Sequence, residues 1–147
     1  MMRHAATRPP RHRRGATVLE AALVIPILLS LAFGAVEVGY FMFVKHTLHG
    51  AARVGARVGS LPSSTNSEVS SAVNDAMSAA GIPTNQYMLQ IRNANTDASL
   101  TLSSTAAKTP VKVTVSCTWG TVGSGLRPMG VIGASKVTTA SVVMIKE

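Results

Sequence analysis

The segment RRGATVLEAALVIPILLSLAFGAVEVGYFMFV, from Arg13 to Val44, decides the fold of this chain. It has a basic end, a glycine, an early glutamate and a long apolar run. No residue from Ala21 to Val36 is charged, and the apolar run resumes after Glu37. At about 1.5 Å per helical residue, such a length crosses a hydrocarbon layer of about 30 Å. The segment predicts a transmembrane helix, because lipid obliges a backbone to satisfy its own hydrogen bonds.

The positive charge of the chain is concentrated before this helix. Residues 1–15 contain five arginines and no acidic residue, so their removal lowers the formal net charge from +8 to +3. Positive residues beside a membrane span favour the cytoplasmic side. We therefore expect the N terminus inside and the C terminus outside. The neighbouring apolar helix explains the basic stretch better than nucleic-acid binding does, so membrane lipid is the expected partner.

The residues around Gly15 form the most informative motif. A cut after Gly15 would make Ala16 the new N terminus and Glu20 its fifth residue. This spacing resembles the processing site of type IV prepilins, in which a basic leader ending in glycine precedes a hydrophobic helix. The resemblance implies cleavage by a prepilin peptidase, with Glu20 neutralising the α-amino group of a neighbouring subunit during assembly. Small pilins of the tight-adherence type usually carry an aromatic residue after the glutamate, whereas this chain has Ala21.

Three further segments extend the resemblance along the helix. They are LEAALVIP (Leu19–Pro26), VEVGY (Val36–Tyr40) and AARVGAR (Ala51–Arg57). In this order they are similar to TadE-like proteins, minor pilins or pseudopilins of tight-adherence pilus systems. The resemblance implies a structural role in pilus assembly, initiation and adhesion, with other pilin or pseudopilin subunits as partners and no cofactor. It also implies a bacterial cytoplasmic-membrane precursor that reaches the pilus and cell surface after processing.

Small residues recur at four-residue intervals along the same helix. Ala35 and Gly39 form one such set, and Ala51, Gly55 and Gly59 form another. Small stripes let helix backbones approach closely. Glycine costs about 1 kcal/mol relative to alanine inside a helix, so several glycines indicate helix packing. A flexible exit from the membrane is the alternative interpretation.

The remainder of the chain predicts a small α+β domain. We expect a leader at 1–15, a transmembrane, pilin-like helix at 16–60, a linker at 61–66 and an extracytoplasmic domain at 67–147. Thr65 and Glu68 form a candidate capping box, and the helix they start has one apolar face and ends before Gly81 and Pro83. This helix would pack on an antiparallel sheet of three to four strands.

The strands are predicted from alternating hydrophobicity. Residues from Pro110 to Trp119 alternate strictly between apolar and polar, as in a half-buried strand. Three other candidates are the segment around Tyr87, Leu89 and Ile91, a short strand at Leu100 and Leu102, and Lys136–Ile145. Asn93–Ala98 is the expected turn between the first and the short strand.

No motif predicts an enzyme or a metal site. The four histidines lie in the N-terminal stretch or at the end of the membrane helix, and the acidic residues of the domain are scattered. The single cysteine, Cys117, is expected to be a small core residue. Gly120–Gly133 is rich in glycine but lacks a phosphate-loop pattern, and we expect a mobile loop there.

Two alternatives to a processed minor pilin remain open at this point. A secretory signal peptide could end among the small residues near Gly34 and Ala35. The chain could also be an uncleaved, single-span anchor whose outer domain binds a partner in the cell envelope. In that case the basic stretch serves only as a topology signal.

Overall fold

The computed structural model describes residues 13–122 and 127–147, without the side chains of residues 13, 14 and 16. Most of the predicted leader, residues 1–12, lies outside the described part. The helices are α1 (Arg13–Gly59), α2 (Asn66–Ala79) and the single turn α3 (Trp119–Val122). The strands are β1 (Tyr87–Asn93), β2 (Pro110–Thr118) and β3 (Val137–Ile145). This confirms the predicted α+β fold, with a long apolar N-terminal helix followed by a helix and an antiparallel sheet.

The sheet has the order β1-β2-β3, and both pairings are antiparallel. Tyr87 pairs with Cys117 in one ladder, and Thr118 pairs with Val137 in the other. Along β2 the odd-numbered side chains from Val111 to Cys117 are buried, as the alternation predicts. One face of the sheet therefore covers the core and the other faces outward.

The short strand predicted at Leu100 and Leu102 is wrong. Within the described residues the sheet has three strands, and Leu102 starts a 3-10 turn instead. The amide of Asn66 donates to the carbonyl of Leu100 at 2.8 Å and accepts from the N–H of Leu102 at 2.8 Å. These backbone groups are thus bound to the start of α2 rather than to a strand. The predicted turn before them is present, and after it Ser99 forms an isolated bridge to Arg92.

Helix α2 begins at the capping box that the sequence predicts. The Thr65 hydroxyl accepts from the N–H of Glu68 at 3.3 Å, and the Glu68 carboxylate accepts from the N–H of Thr65 at 2.8 Å. The helix buries Val69, Val73 and Met77. It ends before Gly81, whose φ of +76° favours glycine.

Helix α1 has two halves with different surroundings. The part before Glu37 lies outside the domain, whereas Val44, Leu48, Ala52 and Ala56 are fully buried against the domain. This second half packs on α2, β2 and β3. The structural domain therefore begins within the segment that the sequence assigned to the membrane helix, and two helices rather than one cover the sheet.

The C-terminal residues Lys146 and Glu147 form hydrogen bonds that connect α1 to the 3-10 turn. The ammonium of Lys146 is buried and donates to the carbonyl of Leu102 at 2.8 Å. The N–H of Glu147 donates to the carbonyl of Ser60 at 2.8 Å, immediately after α1. The last residues of the chain thus bind the end of α1 to the 3-10 turn, and the linker between the two long helices is held closely.

Candidate functional site

The predicted processing site lies in the first turns of α1. Gly15 and Glu20 are exposed, and the helix continues without interruption through Ala16, whose side chain is not described. Within the described part of the chain, Glu20 forms no ion pair. Its carboxylate is thus available at the surface of an apolar helix, where a charge is costly in lipid unless it finds a partner.

The first half of α1 has an apolar surface that is largely exposed. One stretch of the helix is long and apolar enough to cross a membrane by length and composition. Its large apolar side chains are exposed over the whole circumference, with Leu19, Leu23 and Leu31 each at 65% or more. Pro26 lies inside the helix, and the hydroxyl of Ser30 donates to its carbonyl at 2.8 Å. Such a surface fits a lipid or protein environment rather than water.

The predicted small-residue positions lie on two different faces of α1. Because residues in an α-helix are rotated by about 100° each, Gly39 and Gly55 are about 160° apart around the axis. Ala51, Gly55 and Gly59 are buried inside the domain of the chain itself. Ala35 and Gly39 are exposed, and a Cβ added at Gly39 would meet no atom within 4 Å. Of the predicted small-residue positions, only Ala35 and Gly39 are therefore open to a neighbouring helix.

At Gly55, helix α1 closely approaches the rest of the domain. A Cβ added there would lie 2.6 Å from Cγ2 of Val73 and 3.2 Å from Cγ1 of Val113. Both distances are shorter than ordinary carbon contacts. The glycine is thus required by the approach of α2 and β2 to the helix, which explains its position without a second subunit.

Glu37 marks the boundary between the two halves of α1. Its side chain is fully buried, although it stands in an apolar run. One carboxylate oxygen accepts from the N–H of Ile132 at 2.9 Å, and the other accepts from the N–H of Met129 at 3.4 Å. Backbone amides thus satisfy the charge, which would be costly to bury without partners.

The loop that binds Glu37 is shaped by a glycine. Gly130 has a φ of +62°, the left-handed conformation that side chains disfavour. This residue lies between the two donors, Met129 and Ile132, and successive backbone amides around a left-handed residue form a pocket for anions. The guanidinium of Arg127 closes the loop by donating to the carbonyl of Ile132 at 3.2 Å. We call residues 127–133 the clamp loop.

Gly120–Gly133, predicted as a mobile loop, is not a single loop in the structure, and its mobility stays a prediction. Residues 120–122 belong to α3, residues 127–133 are bound to α1, and residues 123–126 lie outside the described part. Gly120 is closely packed, since a Cβ there would lie 2.8 Å from the carbonyl oxygen of Ala134. Sequence reasoning missed the role of Glu37, although this lone charge within an apolar run was the signal for it.

Aromatic rings surround the same boundary. Trp119 is 1% exposed and packs edge-on against Phe41, with ring centroids 5.2 Å apart. Its ring also lies 5.7 Å from that of Tyr40, which stacks on Phe43 at 6.0 Å. These contacts join α3 to α1 about one turn beyond Glu37.

The described residues offer little for chemistry at a metal. They contain no group of three or more His, Cys, Asp or Glu side chains that could hold an ion. His46 is exposed and His49 is partly buried on α1. The features that the structure does provide are an exposed apolar helix, a carboxylate near its start and the contact of Glu37 with the clamp loop.

One comparison with known proteins agrees with the resemblance found in the sequence. No curated protein matches the chain, and no solved structure matches it. The model of one family, described as TadE-like protein, matches residues 15–57. The match begins at the glycine of the processing motif and ends two residues before α1 does. The resemblance to the TadE-like family is therefore confirmed, and α1 is the part of the chain that carries it.

Proposed function

We propose that this chain is a minor pilin or pseudopilin of a tight-adherence pilus, made as a membrane precursor and cut after Gly15 by a prepilin peptidase. The TadE-like match over residues 15–57 carries the proposal. It supports a pilin-like, pilus-associated protein, which is a structural component rather than an enzyme. The cleavage, the assembly role and a part in adhesion are the finer statements proposed here.

The proposed role of Glu20 is to recruit the helix to its neighbours. After cleavage, the α-amino group of Ala16 would be cationic at neutral pH, because its ordinary pKa is about 8. A carboxylate and an ammonium group at the edge of hydrocarbon are better paired than apart. Glu20 is exposed and forms no ion pair with the rest of the described chain. It can therefore accept the amine of a second subunit.

The proposed packing surface is the exposed first half of α1. Leu23, Ile27 and Leu31 are more than half exposed, so neighbouring subunits can bury a large apolar area there. Ala35 and Gly39 allow another helix to approach closely on the side facing away from the domain. The domain of residues 37–147 would lie outside the membrane, at the surface of the assembled fibre.

Substitution of Glu20 tests the proposal. Glu20→Gln keeps the shape and removes the charge, and Glu20→Ala removes both. We expect both variants to insert into the membrane as the native chain does and to be strongly depleted from purified pili. Asp75→Asn, which removes an exposed carboxylate from α2, is the matched control. Native levels of a Glu20→Gln variant in pili would contradict the assembly role of the carboxylate.

A further inference from the structure

We propose that the clamp loop rests on the lipid surface at the domain's side of the membrane and sets how far α1 enters the bilayer. The occupant of this surface is lipid, and the proposal concerns the chain while it is anchored. It does not depend on cleavage after Gly15 or on pilus assembly, since an uncleaved anchor would have the same boundary.

The length of α1 before Glu37 fits this position. Residues 17–36 are twenty residues, which as a helix span about 30 Å, the thickness of a hydrocarbon layer. Arg13 and Arg14 precede this stretch and Glu37 follows it. A carboxylate at the end of a span belongs at the polar boundary, and the clamp loop satisfies it there through Ile132 and Met129.

The clamp loop presents apolar side chains next to that boundary. Met129 is 47% exposed and Val131 is 61% exposed, and both belong to the clamp loop. Val36, which precedes Glu37 on α1, is 49% exposed and belongs to the apolar span. The contact of Glu37 with the backbone of Met129 and Ile132 thus brings the exposed apolar residues of the loop to the end of the apolar span. Exposed apolar side chains at such a place indicate an interaction surface.

The distribution of aromatic residues supports lipid as the occupant. Four of the six aromatic residues of the chain lie between Phe33 and Phe43, and a fifth, Trp119, packs on two of them. Tyrosine and tryptophan side chains are enriched where membrane proteins cross the headgroup region, and Tyr40 is partly exposed three residues after Glu37. The guanidinium of Arg127 lies in the same loop, and arginine is well suited to contact phosphate groups.

Labelling at two valines tests the proposal. Val131→Cys in the clamp loop and Val143→Cys on β3 both replace exposed valines, at 61% and 51%. Val143 pairs with Lys112 near the end of the sheet that adjoins Gly59, away from the clamp loop. Cys117 is buried and stays unlabelled in the folded protein. Each full-length variant is labelled with an environment-sensitive NBD fluorophore and reconstituted in vesicles of phosphatidylcholine and phosphatidylglycerol.

We expect nitroxide groups attached near the lipid headgroup to quench the label at 131 and to leave the label at 143 unquenched. Equal quenching at the two positions would overturn the proposal. Quenching at 131 should persist when the protein is diluted in lipid. If the label at 131 were not quenched by the lipid nitroxides and lost a blue-shifted emission on dilution, a second copy of the chain would be covering the loop. That result would also overturn the proposal.

Glu37→Ala in the Val131→Cys background tests the clamp itself. Removal of the carboxylate releases Met129 and Ile132, so quenching at 131 should fall while α1 remains inserted. Trp119 fluorescence checks that the domain is folded, because this single tryptophan is buried against α1. Glu37→Gln keeps an acceptor oxygen and should retain more quenching than Glu37→Ala. Unchanged quenching in a folded Glu37→Ala variant would show that Glu37 does not position the loop.

Discussion

The carboxylate of Glu37 accepts a hydrogen bond from the backbone N–H of Ile132 at 2.9 Å, across 95 positions of the chain. This contact joins the middle of α1 to the clamp loop, between α3 and β3. It lies at the point where the helix leaves the domain, so the free half of α1 has a defined beginning.

The first prediction concerns the strength of this contact. Glu37→Ala leaves the N–H of Ile132 without its acceptor, so its exchange with solvent deuterium should become faster by about tenfold or more. Exchange at Val115, in the central strand, should be unchanged. Hydrogen-exchange mass spectrometry of the full chain in nanodiscs measures both. Equal exchange of Ile132 in the native chain and the variant would contradict the assigned contact.

The second prediction separates two glycines of α1. A Cβ at Gly55 would lie 2.6 Å from Cγ2 of Val73, whereas a Cβ at Gly50 would meet no atom within 4 Å. Overpacking of a core costs about 1–3 kcal/mol, so Gly55→Ala should lower the free energy of unfolding. Gly50→Ala should raise it by up to about 1 kcal/mol, because alanine favours the helix.

Urea unfolding in detergent, followed by Trp119 fluorescence, measures both glycine variants. Because both variants replace glycine by alanine in α1, the difference between them reports the effect of packing rather than that of helix propensity. If Gly55→Ala stabilised the domain as much as Gly50→Ala does, the close approach of α1 to α2 would be refuted. A stripe used only between subunits would give that result.

The third prediction concerns Cys117. Burial raises the pKa of its thiol, because the thiolate loses hydration in the core. As the pH rises, the thiol therefore loses its proton at a lower pH in the unfolded chain than in the folded chain. The contribution of Cys117 to the free energy of unfolding is therefore full below the ordinary thiol pKa of about 8.5 and declines above it.

Two measurements check the behaviour of Cys117. The native chain should lose more stability between neutral pH and pH values above the thiol pKa than Cys117→Ala does, in parallel urea titrations. In the folded state, Cys117 should react with a thiol reagent at least about 100-fold more slowly than in urea, since the reaction requires opening of the core. Rapid modification of the folded protein would show that the thiol is accessible.

Much of the fold could be predicted because several signals act locally. The strict alternation in β2 reflects a sheet with one buried face, and the capping box of Thr65 and Glu68 satisfies backbone groups within one helical turn. Neither signal depends on distant parts of the chain. The strand wrongly predicted at Leu100 and Leu102 shows where prediction from local signals fails. The side-chain amide of Asn66, more than thirty residues away, binds the carbonyl of Leu100 and the N–H of Leu102.

The same limit explains what sequence analysis missed at the candidate site. The motif around Gly15 and Glu20 is local and could be recognised directly. The role of Glu37 depends on a loop from the far end of the chain, and nothing beside Glu37 in the sequence indicates that loop. Likewise, the four-residue spacing of Gly55 and Gly59 predicts close packing but does not distinguish packing within the chain from packing between subunits.

The most direct test of the proposed function is the N-terminal sequence and intact mass of the full-length protein recovered from native membranes. We predict a chain that begins at Ala16, since the TadE-like match starts at the preceding glycine. A chain that begins at Met1, or at Met2 after loss of the initiator, would contradict pilin-type processing and favour an uncleaved anchor. A start near Ala35 would instead identify a secretory signal peptide and contradict both interpretations.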